Sequence, residues 1–342
     1  MVNLKRFLIN FFLVFLSILI TILGVEFYLK YFQPQDLSGS WRIRDKTGLI
    51  LNKNFGESKH VFNKSLLKVK YSFGEYHNRK YPNLLADYKE KVLILGDSFT
   101  FGWLLNDEDT FVYLLQKKFK DKTFINAAAG AWGTSDQLRY TENYCKKIKP
   151  KEVWVFINND DIIRSIRSNL YNLDNESNLI KLLPSTSYQQ KIKFFFNSTS
   201  SYQWLIENSN FFQLIRNNFV KIHDYNITYD KIKNVQSYQD HNLFAKKLFL
   251  ELNNKTKLCS ATLKVFYIGW PLWNKNYETL DFIRLAEKES FFIKNEITYF
   301  NLVSTIYISE VHKNVNYYKL AEGHPNKFGN RNIFFAILSA LK

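Results

Sequence analysis

Lys91-Val92-Leu93-Ile94-Leu95-Gly96-Asp97-Ser98-Phe99-Thr100-Phe101-Gly102 is the stretch on which the fold turns. Its apolar run stops at a glycine, the pattern of a short strand buried on both faces. Ser98 then falls on the loop leaving the strand's C-terminal end, the edge at which open parallel sheets bind ligands. A serine hydroxyl is a poor nucleophile at neutral pH and needs a base within hydrogen-bond reach. Gly-Asp-Ser by itself is a common turn, so the base must come from another part of the chain.

Runs at 123–126, 152–157, 263–269 and 297–302 read as further strands, and helical patterns at 111–119, 136–147 and 282–294 separate them. Strands alternating with helices imply an α/β fold in three layers, α/β/α, with a parallel five-stranded sheet covered on both faces. The candidate base stands near the C-terminus in Glu322-Gly323-His324-Pro325-Asn326, ahead of Phe328-Gly329-Asn330 and an apolar helix at 333–341.

Gly96-Asp97-Ser98-Phe99-Thr100-Phe101-Gly102 resembles the nucleophile block of the GDSL family, also called SGNH hydrolases, with Phe99 where the older name has leucine. Asn126-Ala127-Ala128-Ala129-Gly130-Ala131-Trp132-Gly133-Thr134 resembles the family's Asn-x-Gly-x-x-Gly-x-Gly-Thr pattern. Counting from Asn126 puts the block glycine at Ala131, with Gly130 one place earlier. The family uses the backbone N–H there, which an alanine also carries. Val153-Trp154-Val155-Phe156-Ile157-Asn158-Asn159-Asp160-Asp161 resembles strand-Gly-Asn-Asp, with Asn158 in place of the glycine. On the bland reading these polar residues only end a strand and cap the next helix. His324-Pro325-Asn326 followed by Gly329 resembles the family's His-Pro-Asn-x-x-Gly signature. Where many members carry an aspartate three residues before the histidine this chain has Ala321, and Glu322 occupies the acidic position of Asp-Gly-His-Pro.

The resemblance covers residues 91–342 and implies a flavodoxin-like strand order. It also implies acyl-ester chemistry through a covalent intermediate, with Ser98 as nucleophile, His324 as general base and Glu322 as orienter of the imidazole. Some members dispense with the acid and work as a Ser-His dyad. The oxyanion would be held by the N–H of Ser98, the N–H of Ala131 or Gly130, and the Asn159 side chain. Asp97 is read as a turn-holding residue that bonds nearby backbone N–H groups. No cofactor and no metal is implied, and the remaining histidines lack metal-ligand spacing.

The resemblance implies a serine esterase acting on acyl, above all acetyl, esters. Two alternatives stand beside it: an O-acyltransferase that modifies cell-surface polysaccharide, and a catalytically silent glycan-binding component of the same fold. An acetylated polysaccharide or a lipid is the expected partner class.

The N-terminal end limits where such chemistry happens. Residues 7–25 are almost wholly apolar, about the length that spans a bilayer core of roughly 30 Å. The run continues as Glu26-Phe27-Tyr28-Leu29-Lys30-Tyr31-Phe32, with no small-residue cleavage site. A retained transmembrane anchor at 7–28 is expected, after a short cytoplasmic stretch at 1–6, with Tyr28 and Tyr31 in the aromatic belt. A short N-terminus ahead of one span places the folded domain outside the cytoplasm, periplasmic or extracellular. Residues 33–90 are expected to form a juxtamembrane segment with one or two hairpins. Within it Tyr76-His77-Asn78-Arg79 weakly resembles an Asn-x-x-Gly-x-Arg element that precedes the nucleophile block in anchored members.

Basic side chains outnumber acidic ones by 47 to 31, a net charge of +16. Such a balance suits polyanions or anionic headgroups. No helix-turn-helix, zinc spacing or phosphate loop points to nucleic acid. The two cysteines, Cys145 and Cys259, are expected to be buried free thiols. Residues 162–238 break the alternation with Asn- and Ser-rich stretches and an aromatic run, and are expected to form either a lid or acceptor wall over the site, or a surface excursion whose aromatics pack on the core.

Overall fold

Five apolar runs pair in parallel as β1 (Glu90–Leu95), β2 (Lys122–Asn126), β3 (Glu152–Ile157), β4 (Thr262–Tyr267) and β5 (Thr298–Asn301). Their order across the sheet is β5-β4-β3-β1-β2, with Leu93 of β1 facing Ile125 on one side and Val153 on the other. This is the flavodoxin-like order. The computed structural model describes residues 2–63, 67–81, 90–183, 192, 195–197, 199–218, 238–269, 285–306, 316–318 and 323–342.

Alternation along each strand divides the core into two layers. Leu93, Leu95, Val153, Val155, Leu263 and Val265 pack with helices Thr134–Ile148 and Tyr238–Lys257. Val92, Ile94, Phe124, Trp154, Phe156 and Phe266 pack on the opposite face with helices Phe111–Lys118 and Lys327–Ala340. Because both faces are covered, the strands read as unbroken apolar runs rather than as alternating ones. From β1 the chain goes to β2 on one side, then crosses to β3 on the other. The strand order therefore reverses beside β1, and the crevice at the C-terminal ends of β1 and β3 is where such folds place ligands.

The cysteines correct the expectation of free thiols, for Cys145 and Cys259 are joined, with Cα atoms 6.0 Å apart. Cys145 lies in the last turn of helix Thr134–Ile148, and Cys259 follows Lys257 at the end of the neighbouring helix. The packing of those two helices brings the sulfurs together, which spacing in the sequence could not show.

Ahead of the sheet, Arg42–Arg44 pairs with Ile50–Asn52 and Glu57–Phe62 pairs with Leu67–Ser72, both antiparallel. The second pair packs Phe62 and Leu67 beside Leu104 and Trp103, just past the turn that carries Ser98. The first 32 residues include a helix, Val2–Phe32, whose residues 4–32 are long and apolar enough to cross a membrane and whose apolar side chains are mostly exposed, Leu29 near its end being buried.

The described part of the insertion packs in part as an excursion on the core, where Ile162, Leu170 and Tyr171 are buried. After a small pair, Tyr171–Leu173 with Leu179–Lys181, helix Ser200–Asn208 and helix 210–218 dock on residues 35–63. Gln203 Oε1 accepts from the Ser40 N–H at 2.9 Å, and Glu207 Oε1 from the Ser58 hydroxyl at 3.1 Å. Trp204, Phe195 and Phe196, far from packing on the core, are exposed.

Candidate active site

Ser98 opens a single helical turn, Ser98–Phe101, directly after β1. Asp97 is its N-cap: Oδ1 accepts from the Phe99 N–H at 2.9 Å, satisfying one of the donors a helix start leaves free. Gly102 ends the turn at φ +78°, a left-handed conformation that glycine adopts without a steric cost. A one-turn helix between an Asx cap and a glycine stop holds Ser98 half-buried at the lip of the sheet.

His324 reaches the same point from the other end of the chain, and its Nε2 lies 2.8 Å from Ser98 Oγ. The imidazole is buried, with Phe99 and Trp103 packed edge to face against it at centroid distances of 5.0 and 4.5 Å. The residues after it explain its placement. Asn326 caps helix Lys327–Ala340 by accepting from the N–H groups of Phe328 and Gly329 at 2.9 and 3.2 Å. Asn330 Oδ1 accepts from the Phe111 N–H at 3.0 Å, tying this helix to the one after the nucleophile turn. At Gly329 a Cβ would come within 2.4 Å of the Asn316 carbonyl oxygen, so a side chain has no room there. Glu322 and Ala321 lie outside the described residues.

The other two blocks flank the Ser98 turn. Asn126, at the end of β2, donates to the Thr100 carbonyl at 3.0 Å and to the Tyr81 hydroxyl at 2.9 Å, while its Oδ1 accepts from the Ala128 N–H at 3.2 Å. That amide fixes the following loop, Ala129 N–H donating to the Gly96 carbonyl at 3.2 Å. Ala131 is exposed and sits at φ +64°, whereas Gly130 is not among the residues with positive φ. The position that demands left-handed backbone is therefore Ala131, where counting from Asn126 puts the block glycine.

Beyond β3, Asn158 is buried and donates to Asp97 Oδ2 at 2.5 Å. Asn159 follows it at the crevice, its Oδ1 accepting from the Tyr267 hydroxyl at 2.5 Å. That contact assigns the oxygen to Tyr267 and leaves the amide N–H groups as the donors of this side chain.

Two arginines brace the Ser98 turn, and of these Arg164 escapes a reading by motif alone. Arg164, on helix Asp161–Ser168, bonds Asp97 Oδ2 at 2.5 Å and Asp160 Oδ2 at 2.7 Å. Burial opposes its charge, but Asp97, Asp160 and Asp161 together hold the guanidinium above its ordinary pKa. Burial, and then the charge of Asp97, push the carboxyl of Asp161 well above its ordinary value. Arg79 lies beneath the other end of the turn. It donates to the carbonyls of Phe101 and Gly102 at 2.7 and 2.8 Å and to that of Leu105, and pairs with Asp107 at 2.6 Å. The Tyr76-His77-Asn78-Arg79 element thus supports the C-terminal side of the nucleophile turn. The signal for Arg164 was its i,i+4 spacing from Asp160, which marks a helix-face pair without naming the buried partner.

No protein-family model matches the chain, and no curated protein matches it. Among solved structures it is similar to a psychrotrophic esterase from a Pseudoalteromonas species, at 13% identity over 74% of this chain and 97% of that one, with a TM-score of 0.43. A member of the lipolytic G-D-S-L family from Veillonella parvula matches at 10% identity over 73% and 97%, TM-score 0.43. An acetylxylan esterase from Geobacillus stearothermophilus matches at 16% identity over 75% and 96%, TM-score 0.40.

Proposed function

We propose that the chain is a membrane-anchored serine esterase of the GDSL/SGNH kind, acting on acyl esters. The observation that carries this reading is the 2.8 Å contact between Ser98 Oγ and His324 Nε2 at the crevice where the strand order reverses. A hydroxyl at a sheet lip, joined to an imidazole from the far end of the chain, is the arrangement an activated nucleophile needs.

In the proposed reaction Ser98 Oγ attacks the ester carbonyl as His324 Nε2 takes its proton. The negative oxygen is received by the N–H groups of Ser98 and Ala131 and by the Asn159 amide. His324 then protonates the departing alcohol, and water attacks the acyl-serine with His324 again as base, regenerating the hydroxyl. Each oxyanion donor is worth about a hundredfold to a thousandfold in rate. Tyr267 supports this role for Asn159 by engaging its oxygen. Glu322 is proposed to orient His324, a role that Glu322→Gln tests.

The apolar helix at the N-terminus supports the anchor, at 7–28. The joined cysteines support an oxidising compartment, and therefore a domain on the outer side of the membrane.

The test is hydrolysis of p-nitrophenyl acetate, carrying the smallest common acyl group, by the full chain in detergent beside its Ser98→Ala variant. Loss of Ser98 is expected to reduce turnover by about ten-thousandfold or more. Turnover undiminished in the variant, or absent from both proteins, overturns the reading.

A further inference from the structure

Of the two docked insertion helices, helix 210–218 is inside out and helix Ser200–Asn208 is so on its exposed side. In helix 210–218 the residues turned toward the protein are polar: Asn210 and Gln213 are buried, and Gln213 and Arg216 both donate to the Ser38 carbonyl, at 3.1 and 2.8 Å. Helix Ser200–Asn208 turns the half-buried Gln203 and Glu207 toward the protein beside one buried apolar residue, Ile206. The outward residues are apolar: Trp204 is 64% exposed, and Phe212, Ile215, Phe195 and Phe196 are exposed with it. A helix in contact with water carries the opposite arrangement, polar out and apolar in.

A second observation says what covers this face. Glu26, at the C-terminal end of the apolar N-terminal run, accepts four hydrogen bonds from the start of helix 210–218. They come from the Ser209 hydroxyl at 2.7 Å, the Asn210 N–H at 2.9 Å, the Asn210 amide at 3.0 Å and the Phe211 N–H at 2.9 Å. A carboxylate is favoured at a helix N-terminus, where free N–H groups and the dipole meet it. The Gln35 N–H adds a bond to Asn210 Oδ1 at 2.8 Å. The joint between the apolar helix and the domain is thus a bonded corner. It fixes the start of helix 210–218 at Glu26, two residues before Tyr28 in the chain.

We propose that helices 200–208 and 210–218, with residues 195–197, form a foot that rests in the bilayer interface, Glu26 being the tether. Aromatic side chains at headgroup depth suit such a position. The hairpin residues Ser58 and Lys59, held by Glu207, continue through Phe62 to Trp103 and so to His324. The foot therefore sets the height and tilt of the candidate site over the membrane and favours esters presented at or near its surface.

This inference rests on the anchor reading, and the experiment separates the two. The full chain is reconstituted in phosphatidylethanolamine and phosphatidylglycerol vesicles, with and without lipid spin-labelled near the headgroup, beside Trp204→Phe and Glu26→Ala. Wild-type fluorescence minus that of Trp204→Phe isolates Trp204, and this component is expected to be quenched about twofold or more by labelled lipid. Glu26→Ala is expected to halve that quenching while still floating with the vesicles. Protein that floats with Trp204 unquenched overturns the foot alone, and quenching unaltered in Glu26→Ala overturns the tether. Protein that fails to float overturns the anchor and the foot together.

Discussion

The crevice around Ser98 and the foot beside the apolar helix are both assembled from polar contacts between distant parts of the chain, but the charged pairs of the first are buried and the foot is buried only at Asn210, Gln213 and Ile206. At the crevice the pairs are sealed: Arg79 and Asp107 have side chains 0% and 7% exposed, and Arg164 and Asp97 13% and 2%. At the foot, Glu207, Gln203 and Arg216 are half-buried, and the apolar residues face outward. Removing one member of a sealed pair strands a charge in a dry place, whereas a half-exposed partner is replaced by water. The crevice should therefore be rigid and unforgiving, and the foot adjustable one contact at a time.

Replacing Arg164 is the most direct way to break the contrast. Arg164→Met strands Asp97 beneath the nucleophile turn, and a loss of about 3–5 kcal/mol is expected in urea unfolding of the detergent-solubilised chain. A loss no larger than that of an exposed arginine would show that the crevice is not sealed.

The hairpin between the two regions carries the next effect. Burial, together with the Arg216 guanidinium, pushes the His60 imidazole down from 6.5 to about 4. The unfolded chain takes up this proton first as the pH falls, so the stability gained by keeping His60 neutral is full above pH 6.5 and is lost on acidification toward pH 4. Over that window about 3 kcal/mol should disappear. Unfolding midpoints measured at pH 7, 5.5 and 4.5 should therefore fall more steeply in the wild type than in His60→Phe, and equal slopes would refute the assignment.

Within the crevice, Tyr267→Phe sharpens the comparison by loosening one support without removing a donor. A fall in kcat of about tenfold with KM unchanged is expected, short of the hundredfold or more that losing an oxyanion donor costs. A rise in KM instead would mark Tyr267 as a substrate contact. The smallest effect is at Ala131. Its φ of +64° strains any residue with a Cβ, and Ala131→Gly should relieve it, giving a gain of up to about 1 kcal/mol after the entropy cost of glycine. Thermal unfolding checks this; a loss of stability would mean that the alanine methyl makes a contact of greater value.

The same contrast explains what was legible in the sequence. The strands announce themselves because burial on both faces demands continuous apolar runs, and the nucleophile turn because a short helix with an Asx cap and a glycine stop leaves a local signature. His324 is legible through Asn326 and Gly329, whose capping and close approach constrain residue types at fixed spacing. The joining of Cys145 and Cys259 was not, because it depends on how two helices pack. Nor was the foot. Its meaning lies in the direction its side chains take, and Gln203, Glu207, Asn210 and Gln213 read as an ordinary polar surface until Ser40, Ser58, Glu26 and Ser38 are found against them.

The central claim is that Ser98 is a nucleophile activated by His324, and the most direct measurement is labelling of the full chain with a fluorophosphonate, followed by peptide mapping. One adduct is expected, on the peptide containing Ser98, abolished in Ser98→Ala and slowed by orders of magnitude in His324→Ala. An unlabelled protein, an adduct on another serine, or labelling of Ser98 at an undiminished rate without His324 would contradict it.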